Sequence, residues 1–174
     1  MIRGISLAMG AFAIVSLVAC QSMEHGTGQK ASANLDSRSG SNAKGTVNFV
    51  WQGHDVLVTG SFSGLKPNSE QGFHVHEKGD CSAPDATSAG GHFNPDTQSH
   101  GMPGSGANHA GDMPNIKSDA NGNAVYSAKL SGFAVNTGPS GILGRSVVVH
   151  RDPDDYKSQP AGNSGPRIAC GLIK

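Results

Sequence analysis

The chain has 174 residues, of which 13 are basic and 13 acidic, and this length suits one domain with a sizeable core, with or without a tail. The balanced charge excludes the broad basic surface of most nucleic-acid-binding proteins, so no nucleic-acid partner is predicted. The 25 glycines and nine prolines favour turns and strands over a helical bundle.

The first segment of the chain has the pattern of a signal peptide. Arg3 supplies a positive charge, and residues 5–18 form an apolar stretch that is too short for a comfortable membrane span. The stretch ends in Leu17-Val18-Ala19-Cys20, which resembles the lipobox of bacterial lipoproteins. We therefore predict a signal peptide over residues 1–19 and a lipid on Cys20. An ordinary secretory signal that happens to contain a cysteine is the alternative.

The predicted leader also indicates where the protein works. A lipid on Cys20 would anchor it to a membrane on the periplasmic side, and Gln21, where an aspartate usually signals inner-membrane retention, favours the outer membrane. Thiols outside the cytoplasm tend to be oxidised. If Cys20 is acylated, Cys81 and Cys170 remain as the only possible disulfide pair.

Residues 20–42 are polar, small and rich in glycine and serine, so we expect a flexible tether with a possible edge strand within residues 31–37. The folded domain is expected over residues 43–174. Alternating hydrophobic residues predict strands near 45–51, 56–62, 71–77, 113–118, 124–130, 145–150 and 167–172. A long loop over residues 79–112 interrupts them, and loops of this size are usually functional. About eight strands without a convincing helix indicate an antiparallel sandwich or barrel.

Six of the eight histidines lie between His74 and His150. His74 and His76 are two residues apart on a predicted strand, so both rings project from the same face and can reach one metal ion. His150, at the end of another strand, could supply a third imidazole, and such clusters suit copper or zinc. The two histidines outside this stretch, His25 and His54, are interpreted as surface residues.

The long loop contains a second group of metal-ligand residues within 21 positions: His92, His100, His109 and Asp112. Three imidazoles and one carboxylate match the ligand types and number of a four-coordinate zinc site. A polar loop can contain these residues by chance, but three histidines in a glycine-rich loop favour metal binding.

Four sequence motifs stand out between residues 45 and 172. They are Gly72-Phe73-His74-Val75-His76-Glu77, Gly91-His92-Phe93-Asn94-Pro95, Gly144-Arg145-Ser146-Val147-Val148-Val149-His150 and Gly162-Asn163-Ser164-Gly165-Pro166-Arg167-Ile168-Ala169-Cys170-Gly171. In this order they resemble the copper/zinc superoxide dismutase family. The resemblance implies an all-β fold, an eight-stranded antiparallel Greek-key barrel or immunoglobulin-like sandwich with two long functional loops. It also implies dismutation of superoxide to dioxygen and hydrogen peroxide.

The resemblance further implies a ligand set for each of two metal cofactors. The copper ligands of the family are matched by His74, His76, His92 and His150. The zinc ligands of the family are matched by His92, His100, His109 and Asp112. His92 is common to both sets, which implies that its ring bridges copper and zinc and exchanges a proton during catalysis.

Other residues match supporting roles in the family. Arg167 matches the arginine that holds the anion beside copper, and Asp154 matches the carboxylate that ties a copper histidine to a zinc histidine. Cys81 and Cys170 match the family disulfide, in agreement with the pairing considered above.

One segment departs from the family pattern. Many eukaryotic members carry Lys-Thr where this chain has Pro160-Ala161, and the loop from Arg151 to Arg167 looks shorter than theirs. Lys157 could take over part of the attraction for superoxide. The departure bears on the rate of association and its salt dependence, and not on the reaction itself.

Two other classes of function are considered. A periplasmic copper- or zinc-binding protein without turnover would be favoured by loss of a ligand or of the arginine, yet all of the matched positions are present. A structural sandwich stapled by a disulfide leaves the histidine groups unexplained. We therefore predict an antioxidant enzyme outside the cytoplasm, and the sequence leaves open whether it is a monomer or a homodimer.

Overall fold

The structure is a computed structural model that describes Met1 and residues 28–174. The predicted lipidation site Cys20, His25 and the predicted signal peptide after Met1 lie outside the described residues. Within residues 28–174 there are nine strands: β1 (Lys30–Ser37), β2 (Lys44–Trp51), β3 (Val56–Ser63), β4 (Glu70–Gln71), β5 (Phe73–His76), β6 (Ile116–Lys117), β7 (Ala124–Leu130), β8 (Ser146–His150) and β9 (Arg167–Leu172). One turn of 3-10 helix spans Thr87–Ala89. Across the described part of the chain, no helix has the length and apolar character needed to cross a membrane.

An apolar residue at every second position explains why these segments form strands, because these side chains are buried on one face. In β2, Val47 and Phe49 are fully buried while Asn48 between them faces outward, and Val56 and Val58 of β3 repeat the pattern. The two strands pair antiparallel, with Phe49 opposite Val58. Because successive residues point to opposite faces, this register places the apolar side chains of both strands on one core face.

Seven strands form one antiparallel sheet in the order β5-β8-β9-β1-β2-β3-β7, and β4 and β6 form a separate two-stranded ribbon. The sheet curls into a half-barrel, so that side chains from its two opposite edge strands, β5 and β7, meet in the core. The ring centroids of Phe73 on β5 and Tyr126 on β7 are 5.1 Å apart, and Phe62 on β3 also contacts Phe73 edge to face. Such edge-to-face pairs stabilise a core beyond the area they bury. The predicted all-β antiparallel barrel or sandwich is confirmed.

The first strand corrects one expectation from the sequence. The predicted edge position within residues 31–37 is wrong, because β1 lies between β2 and β9. Ala31, Ala33 and Leu35 all point into the core, alternating with outward-facing polar residues. Two of these three are alanines, so the segment looked like a tether by composition, although its inward face is apolar. The part of the predicted tether from Lys30 onward therefore belongs to the sheet or to its first hairpin.

Two long loops cover the outer face of β5, β8 and β9: residues 77–115, between β5 and β6, and residues 151–166, between β8 and β9. The inward side chains of β8, Val147 and Val149, belong to the main core, whereas Val148 faces the other way and packs with Ala86 and Ala89 of the long loop. The disulfide between Cys81 and Cys170 joins the same loop to β9, with the two Cα atoms 5.8 Å apart. The functional groups discussed next lie between this face and the two loops.

Candidate metal centre

The first histidine group is assembled by strand pairing. His74 and His76 lie on β5, which pairs antiparallel with β8, and His150 ends β8. His92 comes from the long loop, where residues 91–93 run beside β5 and form an isolated bridge opposite His76. One ring nitrogen from each of these four buried histidines lies within 4.8 Å of the others. The three imidazoles that the sequence predicted to converge therefore do so, together with His92.

The ring nitrogens of this group are poised to receive a cation. His76 Nδ1 donates to the Gly90 carbonyl and His150 Nδ1 donates to the Gly165 carbonyl, both at 3.0 Å. In neutral rings the two Nε2 atoms therefore carry lone pairs, and these atoms lie 3.4 Å apart. Burial, followed by the neighbouring histidines, holds the pKa of both rings well below the ordinary value, so protonation does not relieve the opposed lone pairs. A metal ion between the rings would relieve them.

The second group surrounds a single carboxylate oxygen. Asp112 Oδ1 lies 2.9 Å from His92 Nδ1, 3.0 Å from His100 Nδ1 and 3.4 Å from His109 Nδ1. Donor atoms at the corners of a zinc tetrahedron, each about 2.0–2.1 Å from the ion, are roughly 3.3 Å apart. The donor set and its spacing therefore fit zinc.

Opposite charges are concentrated in this second group. Burial disfavours charge on His100, but hydrogen bonds to Asp112 and Asp154 outweigh it and raise the pKa of the His100 ring to about 9. Burial also acts against the Asp112 carboxylate, yet its contacts with His100, His109 and His92 hold its pKa far below the usual range. A carboxylate that stays ionised among three imidazoles is the environment that a divalent cation favours.

His92 joins the two groups. Its Nδ1 faces Asp112 in the second group, and its Nε2 is buried without a hydrogen-bond partner among the described residues. The ring is stacked on His74, with the centroids 3.9 Å apart, and His74 Nδ1 is likewise buried and unpartnered within the described chain. Burial and the proximity of His74 lower the pKa of His92 to about 4. Two unpartnered nitrogens at this position are the orphaned atoms that a metal in the first group would satisfy.

Asp154 also connects the two groups, because it bonds to one ring of each. Its two oxygens accept hydrogen bonds from His74 Nε2 at 2.8 Å and from His100 Nε2 at 2.9 Å. These bonds hold a proton on Nε2 of each ring, so Nδ1 is the nitrogen that each ring can offer to a metal ion, which on His100 would displace a second proton. Room for the carboxylate depends on Gly162, which has φ +62°, because a Cβ at this position would overlap Asp154 Oδ1.

A cleft of about 290 Å³ opens beside both groups. Its lining residues are Gly91, His92, Asn94, His109, His150, Pro160, Ala161 and Arg167. The guanidinium of Arg167 is fixed by hydrogen bonds from Nη1 to the Ala86 carbonyl and from Nη2 to the Gly90 carbonyl, both at 2.6 Å. A fixed cation beside the first group can hold a small anion there.

Comparison with known proteins identifies the family. The model of the copper/zinc superoxide dismutases matches residues 43–173. The chain belongs to this family. It is an oxidoreductase that dismutates superoxide at a histidine-rich site with copper and zinc as cofactors.

Curated relatives agree with this assignment. Two copper/zinc superoxide dismutases of Aquifex aeolicus strain VF5 are 43% identical over 134 residues and 42% identical over 149 residues. The alignments cover 75% and 83% of this chain and 79% and 86% of the relatives. A superoxide dismutase of Paramecium bursaria Chlorella virus 1 is 46% identical over 136 residues, which is 75% of this chain and 72% of the viral protein.

Solved structures share the fold of this dismutase. The clock protein EA4 superposes with a TM-score of 0.75 at 39% identity, over 87% of this chain and 98% of EA4. A double mutant of a superoxide dismutase-like protein from Bacillus subtilis superposes with a TM-score of 0.72 at 36% identity, over 80% of this chain and 94% of that protein.

Some residues that shape the site were not found from the sequence. Asn115 holds both backbone groups of Asp154, and Gln159 holds both backbone groups of His100. An amide side chain in a polar loop carries no periodic signal, so only the three-dimensional contacts identify these roles. His54, interpreted as a surface residue, has a side chain that is 90% exposed. Lys157, considered for attraction of superoxide, is not among the residues that line the cleft.

Proposed function

We propose which residues of this superoxide dismutase hold each metal ion and which residue binds the substrate. Copper is held by the first group, His74, His76, His92 and His150, and zinc by the second group, His92, His100, His109 and Asp112. Arg167 binds the superoxide anion in the cleft. The observation that carries the assignment is His92, whose Nδ1 belongs to the second group while its unpartnered Nε2 faces the first.

The chain's own residues account for anion binding. Bound copper supplies one-electron redox chemistry, which zinc lacks. Arg167 offers five N–H donors, of which one on each terminal nitrogen is used by the Ala86 and Gly90 carbonyls, so that others remain for a small anion in the cleft. The guanidinium stays charged at any physiological pH and binds an anion through both charge and direction.

Proton transfer is assigned to His92. One superoxide loses an electron and leaves as dioxygen, and a second gains that electron with two protons and leaves as hydrogen peroxide. His92 lines the cleft and its Nδ1 is held in the second group, so Nε2 is the ring nitrogen that would take up a proton from water and pass it to the departing peroxide. Water supplies the other proton. Asp112 Oδ1, 2.9 Å from His92 Nδ1, helps to fix the direction of the ring.

Metal-loaded full-length protein tests the assignment against two histidine variants. We expect His150→Ala to lose most bound copper and nearly all dismutase activity while zinc is retained, because the substitution removes a donor from the first group only. His54→Ala is the matched control, since that ring is exposed and belongs to neither group, and it should leave metal content and activity unchanged. Full copper occupancy and activity in His150→Ala would refute the copper assignment.

We also propose that the dismutase is exported and anchored by a lipid on Cys20. The lipobox-like Leu17-Val18-Ala19-Cys20 supports this, and the disulfide between Cys81 and Cys170 is consistent with an oxidising compartment. In that location the enzyme would remove superoxide that arrives from outside the cell. Metabolic labelling with a fatty acid, followed by membrane fractionation, should label and sediment the wild type but not Cys20→Ser. Equal sedimentation of the variant would count against the anchor.

A further inference from the structure

Gln159 makes a two-point contact with the backbone of His100. Its Oε1 accepts a hydrogen bond from the His100 N–H at 2.9 Å, and its Nε2 donates to the His100 carbonyl at 3.0 Å. An amide group is planar, with its acceptor and donor side by side, so this pair of bonds fixes both the position and the direction of the His100 main chain. A neighbouring strand would hold a residue in the same way.

His100 depends on this contact because its segment has no strand partner. It lies in the long loop, outside every strand, and is followed by Gly101. Among residues 28–174, the backbone of His100 makes two hydrogen bonds, and both are to the side chain of Gln159. The carboxylates of Asp112 and Asp154 hold the ring, but a ring can stay in place only if the main chain that carries it does.

Gln159 itself sits on a closed turn. Asp155 accepts hydrogen bonds from the Ser158 N–H at 2.8 Å, from the Ser158 hydroxyl at 2.6 Å and from Asn163 Nδ2 at 3.2 Å. The Gly162 N–H also donates to the Ser158 carbonyl at 2.7 Å. The turn therefore presents the amide in a defined direction instead of leaving it on a freely moving loop.

The contact also links two parts of the enzyme that are distant in sequence. Gln159 is followed directly by Pro160 and Ala161, which line the cleft beside His150 and Arg167. His100 belongs to the second metal group and does not line the cleft. The contact that holds the His100 main chain is thus made by the residue that precedes one wall of the cleft.

We propose that Gln159 is a positioning residue that retains zinc by fixing the main chain of His100. The inference deepens the proposed zinc assignment and rests on it. Gln159 bonds to the main chain of His100 and belongs to neither metal group, so its effect on zinc passes through that main chain. The contacts of His76 and His150 do not involve it, so copper retention should be independent of Gln159.

Zinc release from the full-length, copper- and zinc-loaded protein tests this positioning role. A chelator that changes colour on binding zinc is added in excess, and release of copper is followed in parallel. We expect Gln159→Leu to release zinc roughly tenfold faster than the wild type, the lower end of the effect typical of residues that orient metal ligands. Gln159→Glu keeps the acceptor for the His100 N–H but loses the donor, so its rate should fall in between. Copper release should be unchanged in both variants.

Two further variants separate the possible failures. Gln52→Leu is the matched control, an exposed glutamine just after β2 on another part of the sheet, and should release zinc at the wild-type rate. His100→Ala removes the proposed ligand and should release zinc faster than any other variant. If His100→Ala loses zinc but both Gln159 variants behave as wild type, the positioning role is overturned and the zinc assignment stands. If His100→Ala also retains zinc, the assignment itself fails. Should Gln159→Leu fold poorly, the rate for Gln159→Glu decides alone.

Discussion

The carboxylate of Asp154 receives hydrogen bonds from His74 at 2.8 Å and, through its other oxygen, from His100 at 2.9 Å. One buried acid thus sets the tautomer of a ring in each metal group. The Asn115 side chain holds Asp154 in turn, accepting from its N–H and donating to its carbonyl, both at 3.0 Å. The two groups are therefore connected both through the shared ring of His92 and through the carboxylate of Asp154.

Replacement of this acid should weaken metal binding more than folding. In Asp154→Asn the amide nitrogen must face one of two imidazole N–H groups, so one ring loses its acceptor and its fixed direction. We expect zinc affinity to fall about 10–100-fold, the usual range for such partners of ligands. Competition with a chelator measures it, and Asp96→Asn, at an exposed loop acid, is the control. Unchanged zinc affinity would show that the rings orient themselves without Asp154.

Arg167→Ala should lower kcat/KM for superoxide by about 10–100-fold without changing metal content, because hydrogen bonds to charged groups contribute about 1.5–3 kcal/mol. Arg167→Lys should recover part of the loss, since an ammonium keeps the charge but cannot hold the Ala86 and Gly90 carbonyls in the same planar arrangement. Pulse radiolysis at low ionic strength provides the rates. Equal rates for lysine and alanine would indicate that charge at this position is irrelevant.

Gly162→Ala should disrupt the site by direct overlap between the added Cβ and Asp154 Oδ1. Gly104→Ala is a closely matched control, since Gly104 also has a positive φ, +79°, but nothing lies within 4 Å of its would-be Cβ. Both variants bear the backbone strain, and only Gly162→Ala bears the overlap. We expect Gly162→Ala to be less stable than the control by about 1–3 kcal/mol in denaturant unfolding, with accelerated zinc loss. Equal stabilities would mean that the loop shifts freely.

Removal of the disulfide in Cys81→Ser/Cys170→Ser should lower the free energy of unfolding by about 2–5 kcal/mol, because the bridge closes a loop with a sequence separation of 89. The loop it closes carries Ala86 and Gly90, whose carbonyls hold Arg167. Activity of the folded variant should therefore also decrease. Urea unfolding with and without a reductant checks the first expectation, since the reductant should shift the wild type only.

Ala161→Lys should raise the association rate of superoxide at low ionic strength. Pro160 and Ala161 place no charge on the cleft wall, so within the described chain Arg167 is the one arginine or lysine that lines the cleft. A lysine at 161 adds attraction over a distance that salt screens, with a Debye length of about 10 Å at 0.1 M. Rates measured across a salt series should converge at high salt. A constant difference between the proteins would point to a change in the site instead of steering.

Local patterns predicted most of this molecule. The alternation of Val47 and Phe49 with polar residues predicted a strand without any knowledge of the strands it pairs with. The spacing of His74 and His76 likewise predicted that both rings lie on one face of their strand. In β1 the same rule applied, but small alanines gave a weak apolar signal and the composition was misleading. The contacts of a loop residue, by contrast, are not predicted by any pattern in the nearby sequence. Gln159 meets His100 across 59 positions only because two irregular loops fold over one sheet face.

If Cys20 carries the proposed lipid, the start of β1 at Lys30 also limits how far the enzyme can extend from the membrane. Nine residues separate Cys20 from Lys30, where the strand begins. A fully extended chain covers at most about 3.3–3.6 Å per residue, so a lipid on Cys20 would keep the start of the sheet within roughly 35 Å of the bilayer surface. A tether that reached residue 42 would have allowed about twice that distance. The proposed lipoprotein would therefore remove superoxide in a thin layer next to the membrane, and not throughout the compartment.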